Sequence, residues 1–186
     1  MPILGVIASS IAKIGSFESI ATATGTGSSG TITFSSIPSG FKHLQIRGIS
    51  KNSGSVYNYA IVRLNGDSNA ANYTAHQLYG NGTTASAYGT GTGALDGAYM
   101  FYTINETVSS SILGVGVCDI LDFNSSTKYK TLRSLSGYDA NGTGNIFLTS
   151  SLWLNTSPIT SVTIYAQGAT NFPTTTQFAL YGIKEA

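Results

Sequence analysis

Thr31-Ile32-Thr33-Phe34-Ser35 and, further along, Leu44-Gln45-Ile46-Arg47 decide how the whole chain is read. Large apolar residues occupy every second position, the period of a β-strand, whose successive side chains point to opposite faces. The same alternation returns outward from these two segments. Ala60, Val62 and Leu64 alternate with Ile61 and Arg63, and Met100, Tyr102 and Ile104 with Tyr99, Phe101 and Thr103. Val115 and Val117 open a long strand that continues through Asp119, Leu121 and Phe123. Leu132 sits between Thr131 and Arg133, and the series closes with Ile146, Leu148, Leu152 and Leu154, then Val162 and Ile164, then Phe178 and Leu180. After residue 15 no window of about 11 residues carries a helical stripe.

Turn chemistry falls between these runs. Asn65-Gly66, Gly80-Asn81-Gly82, Asp139-Ala140-Asn141-Gly142 and Ser157-Pro158 place residues that accept a positive φ, or that preset a turn φ, where the chain must reverse. The pattern predicts about nine to eleven strands, with one longer loop from Gly80 to Gly97. So many short strands in one chain point to an all-β antiparallel sandwich, jelly-roll-like, whose eight core strands leave two or three for additions. An immunoglobulin-type domain needs a Cys-Trp-Cys pattern that a single cysteine cannot supply. The expected inward residues are Leu44, Ile46, Val62, Leu64, Val115, Val117, Leu148 and Ile164. With no composition break or fixed-period repeat, residues 16–186 read as one sandwich domain preceded by an arm, residues 1–15.

Composition narrows the function classes. The 186 residues are 41% hydrophobic and only 9% charged, and Ser and Thr supply about a quarter of them. Eleven Tyr and eight Phe provide the apolar area that disordered segments lack. A net charge of +1 gives almost no counterion-release drive, which argues against a nucleic-acid partner. The arm, Met1 to Gly15, lacks a basic leader region and is too short and interrupted to span a bilayer, so no membrane partner is expected. Its Ile3, Leu4, Val6, Ile7, Ile11 and Ile14 need a cover, and they are the candidate partner-binding residues. The expected cover is a neighbouring copy or an underlying surface. The competing reading folds the arm back across its own domain's open edge.

No catalytic, metal or cofactor residue is assigned. There is no Gly-x-Ser-x-Gly elbow. Cys118, inside an apolar run, reads as a small buried hydrophobe. His43 and His76 share no metal-ligand spacing. Asp119 and Asp122 lie three apart and point to opposite faces of an extended strand, poor geometry for an acid–base pair. Asp139-Ala140-Asn141-Gly142-Thr143-Gly144-Asn145 resembles half a calcium loop but carries one carboxylate, and a plain hairpin turn explains it better. The tyrosines offer either a sugar-stacking platform or the polar face of a subunit contact.

Phe17-Glu18-Ser19-Ile20, the blocks 32–48 (ITFSSIPSGFKHLQIRG) and 119–142 (DILDFNSSTKYKTLRSLSGYDANG), and the ending Phe178-Ala179-Leu180-Tyr181-Gly182-Ile183-Lys184 resemble a family of short all-β proteins associated with tailed bacteriophages. The resemblance spans nearly the whole chain and rests on structural motifs without an active-site signature. It implies a non-enzymatic virion component made in the host cytoplasm. Such a component would be a capsid decoration (cement) protein or a tail accessory protein, a homo-oligomer, trimeric by expectation, that binds the major capsid protein or a tail protein. The alternative is a carbohydrate- or receptor-binding module of a tail or baseplate, with a host surface glycan as its ligand.

Overall fold

The computed structural model describes residues 16–108 and 111–184. Twelve strands follow one another: β1 Phe17–Thr24, β2 Thr31–Phe34, β3 His43–Asn52, β4 Asn58–Leu64, β5 Tyr73–Gly80, β6 Ala85–Thr90, β7 Ala98–Asn105, β8 Gly114–Ile120, β9 Lys130–Asp139, β10 Gly144–Trp153, β11 Val162–Ala166 and β12 Gln177–Ile183. Helical structure among the described residues is limited to two 3₁₀ turns, Ala70–Asn72 and Gln167–Ala169. The expected loop 80–97 contains a strand, β6, which pairs with β5 across the Asn81-Gly82 turn. Its Ala, Ser and Gly content hid it, because Tyr88 is its one large side chain and a single residue marks no alternation.

The pairing identifies the architecture. β1 pairs with β12, β2 with β11, β3 with β8 and β4 with β7, all antiparallel. This is an eight-strand ribbon folded on itself, and it lies in two sheets, β1-β12-β3-β8 and β2-β11-β4-β7. That arrangement is a jelly roll. Two hairpins are added. β9-β10 extends the first sheet beyond β8, and β5-β6 continues it beyond β10. The first sheet, sheet A, thus has eight strands and the second, sheet B, four. A two-residue parallel contact, Lys51 with Ile104 and Asn52 with Asn105, joins them where β3 meets β7.

The core fills the space between the sheets. Leu44, Ile46, Cys118, Ile120, Phe178 and Leu180 face it from sheet A, and Ile32, Phe34, Val62, Leu64, Val162 and Ile164 from sheet B. Gly48 and Gly116 stand opposite each other on β3 and β8. A Cβ on either would come within 2.4 Å of a phenylalanine ring, Phe178 or Phe101, so their missing side chains make room for those rings. Leu44, Ile46, Val62, Leu64 and Ile164 therefore lie where their alternation places them.

Val115, Val117 and Leu148 do not. Val115 and Leu148 are exposed and Val117 is only half-buried, because β8 and β10 turn the other parity inward: Cys118 and Ile120, then Phe147, Thr149, Ser151 and Trp153. The reason lies at β7. Its free edge abuts the inner face of sheet A, where Ser136 Oγ accepts from Tyr102 N–H (3.2 Å) and Ser151 Oγ donates to Tyr99 C=O (3.2 Å). Small inward serines let β9 and β10 close over an edge that would otherwise be left without hydrogen bonds.

Candidate functional site

With the serines turned inward, the aliphatic side chains of β8, β9, β10 and β5 stand on the outer face of sheet A. The register aligns them. Ala179, Arg47, Val117, Leu135, Leu148, Leu78 and Ala87 lie opposite one another on successive strands β12, β3, β8, β9, β10, β5 and β6. A second row, Ile49, Val115, Gly137 and Ile146, runs beside it. The two rows form one band of seven aliphatic side chains: Ile49, Leu78, Val115, Val117, Leu135, Ile146 and Leu148. Leu78, Val115, Leu135, Ile146 and Leu148 are between 47% and 57% exposed. A groove of about 820 Å³ follows the band over β3, β8 and β9, and another of about 660 Å³ continues it over Leu148, Leu78 and Ala87. Isolated exposed leucines are ordinary, but a contiguous apolar patch marks a contact surface.

One side of the band is sharply bounded. The next row is polar: Gln45, Asp119, Arg133, Ser150 and His76. Gln45 Nε2 donates to Asp119 Oδ1 at 2.7 Å, and Arg47 Nε donates to Gln45 Oε1 at 2.7 Å. The Arg47 guanidinium then lies 5.0 Å from the Phe17 ring and 5.5 Å from that of Tyr181, which stack on each other at 4.8 Å. Phe17, at the start of β1, thus belongs to the same outer face. The candidate residues Ile3, Leu4, Val6, Ile7, Ile11 and Ile14 lie outside the described residues.

Most of the tyrosines are engaged elsewhere, whereas Tyr88, which lines the second groove, and Tyr129 are about half exposed. Tyr57, Tyr102 and Tyr138 stack on one another, Tyr102 and Tyr79 stack on Phe147, and Tyr59 stacks on Tyr99. This aromatic cluster joins β4 and β7 of sheet B to β5, β9 and β10 of sheet A. Tyr59 donates to Gln77 Oε1 (3.1 Å), and burial pushes its hydroxyl pKa upward. Tyr73 is a core residue, and Tyr165 lies under Arg63. Ring faces occupied by other side chains offer little to a sugar.

The reactive side chains do not converge. Cys118 is fully buried, and burial together with the neighbouring Asp119 raises its thiol pKa, opposing the thiolate. His43 Nδ1 accepts from the Asp122 N–H at 2.9 Å. Lys128, 2.6 Å from Asp122, holds that carboxyl below its ordinary range, with help from Lys42. Asp67 accepts from the Trp153 indole and the Asn72 amide, each at 2.7 Å, Asp96 is held by Arg63 and Tyr165, and Glu18 pairs with Lys184 at 2.8 Å. Asp139 to Asn145 forms the β9–β10 turn, with Asn141 and Gly142 at positive φ and Ala140 N–H donating to Thr143 C=O at 2.7 Å. Among the described residues no three His, Cys, Asp or Glu side chains come together as a metal site. No helix among them is long and apolar enough to cross a membrane.

No protein-family model, curated protein or solved structure matches the chain.

Proposed function

We propose that the chain is a non-enzymatic structural protein of a tailed-bacteriophage particle that binds the capsid surface as an oligomeric decoration or cement protein. The observation that carries this reading is the aliphatic band on the outer face of sheet A. A protein that acts by adhering needs a broad, shaped apolar contact surface. The band provides one, while the ionisable side chains are dispersed into separate structural pairs. The jelly roll is a recurrent scaffold of viral capsid and lectin domains, and here it adds only a prior to what the face contributes. The low charge of the chain limits repulsion between copies crowded on one surface.

Copy number in purified particles tests the reading. Hundreds of copies per particle are expected, and the double variant Leu135→Lys/Leu148→Lys should remain folded yet fail to bind particles stripped of the native protein. A handful of copies would instead indicate a tail position, and undiminished binding by the double variant would remove the band from the contact.

A further inference from the structure

Seven aliphatic side chains standing together in water would favour self-adhesion of the free chain. A cover over them in the free protein would suppress that self-adhesion. We propose that residues 1–14 of the same chain lie across the outer face of sheet A and cover its aliphatic band in the free protein.

Four observations converge on this occupant. The first is the side on which the chain enters. Ser16 C=O accepts from Lys184 N–H at 2.9 Å, and the Phe17 ring already lies on the outer face against Tyr181 and Arg47. The second is reach. From β1 to β5 there are six strand-to-strand steps, about 29 Å at the usual spacing, whereas 15 residues extend to about 50 Å. The third is chemistry. The arm carries six large aliphatic residues and a single charge, Lys13, so it matches an aliphatic band and contributes no acidic group to it. The fourth is the tether. A segment joined to the edge of this face is held near it at an effective concentration of about millimolar, which a second copy reaches only at similar protein concentration. Docking on a partner would then exchange the arm for the partner on the same side chains. The inference concerns the free chain and does not require that the partner be a capsid.

Disulfide trapping in the full-length protein tests it. The double variant Ile7→Cys/Leu135→Cys, with Leu4→Cys and Ile11→Cys as alternative arm positions, is oxidised and separated without reductant. Cys118 is fully buried and does not interfere. The expected product is an internally linked monomer whose rate of formation is unchanged on dilution. A disulfide that forms only between chains, and more slowly on dilution, would assign the face to a neighbour's arm and overturn the proposal. Absence of a disulfide at all three arm positions would also overturn it. Trypsin supplies a second readout, because Lys13 is the only cleavage site in residues 1–15. Leu135→Lys/Leu148→Lys should release the arm and speed cleavage after Lys13 by about tenfold or more, the scale of losing a tethered contact. Equal rates in the parent and the variant would show that the band does not hold the arm. None of these measurements involves particles, so their failure and that of the proposed function are separate results.

Discussion

Ser134 and Ser136 sit two apart on β9, both buried and both facing sheet B, yet their substitution by alanine should have opposite consequences. Ser136 Oγ is the acceptor for the Tyr102 N–H on the free edge of β7. In Ser136→Ala that N–H stays buried without a partner, at a cost of about 1–3 kcal/mol. Ser134 Oγ has no hydrogen-bond partner among the described residues, so its hydroxyl already bears the desolvation penalty without a return. Ser134→Ala should therefore be neutral or stabilising. The hydroxyl volume removed is the same in both, which makes each the packing control of the other. Urea unfolding followed by tryptophan fluorescence suits the comparison, because Trp153 lies in the core. With a slope of about 2 kcal/mol per molar urea, Ser136→Ala should lower the midpoint by about 0.5–1.5 M. Ser151→Ala, which removes the donor to Tyr99 C=O, should behave like Ser136→Ala. If Ser134→Ala destabilised as much as Ser136→Ala, the serines would be acting through packing alone, and the account of why β9 and β10 turn their aliphatic side chains outward would fail.

Three further outcomes follow from the same structure. Ile164→Ala should cost about 2–5 kcal/mol in urea unfolding, whereas Leu148→Ala on the outer face should cost less than about 1 kcal/mol; equal losses would contradict the assigned phase of β10. Lys130 is fully buried, with its ammonium donating to the carbonyls of Ser125 (2.8 Å), Lys128 (2.7 Å) and Thr156 (3.0 Å), so Lys130→Met should cost about 2–5 kcal/mol by orphaning these acceptors, and an unchanged urea midpoint would refute that role. Burial alone would raise the Asp67 carboxyl pKa, but hydrogen bonds from Trp153, Asn72 and the Asn69 N–H bring it below the ordinary range; a depressed folded value contributes stability at neutral pH that disappears from about pH 4 downward, so the stability gap between the parent and Asp67→Asn should narrow in acid, and a gap independent of pH would count against it.

The class of fold was open to inspection because β2 and the first half of β3 follow one rule, apolar inside and polar outside. Ile32 and Phe34 against Thr31 and Thr33, or Leu44 and Ile46 against Gln45 and Arg47, obey it without exception. Four of the strands, β5, β8, β9 and β10, depart from it, β5 by turning Gln77 inward and Leu78 outward. β8 offers valines on one parity and Cys118 and Ile120 on the other. β9 and β10 carry leucine or isoleucine outward and serine, threonine and aromatic residues inward. Reading the larger aliphatics as inward puts Val115, Val117 and Leu148 on the wrong face. The deciding fact, that Ser136 and Ser151 meet the edge of β7, is a contact across 34 residues in one case and 52 in the other. β6 escaped notice for a simpler reason: Tyr88 is its one large side chain, too little to show an alternation. The tyrosine cluster likewise exists only once the topology brings β4, β5, β7, β9 and β10 together.

These departures share a cause, and it bears on function. A strand read as apolar on both parities belongs either to a sheet covered on both sides or to a sheet with one covered face and one face that something else must cover. Sheet A has sheet B on its inner side only. If the outer residues merely tolerated aliphatics, these would be scattered among polar neighbours. Instead the register collects them into adjacent rows crossing β3, β8, β9, β10 and β5, and ends them at the row from Gln45 to His76. Five strands would each have to accept the same bias at the same height for this to arise as filler. The proposed contact surface accounts for that alignment, and residues 1–14, whose aliphatic chemistry matches it, precede the β1 edge of the same sheet. The parity that misleads a reading of the core is thus the same feature that marks the proposed interaction face.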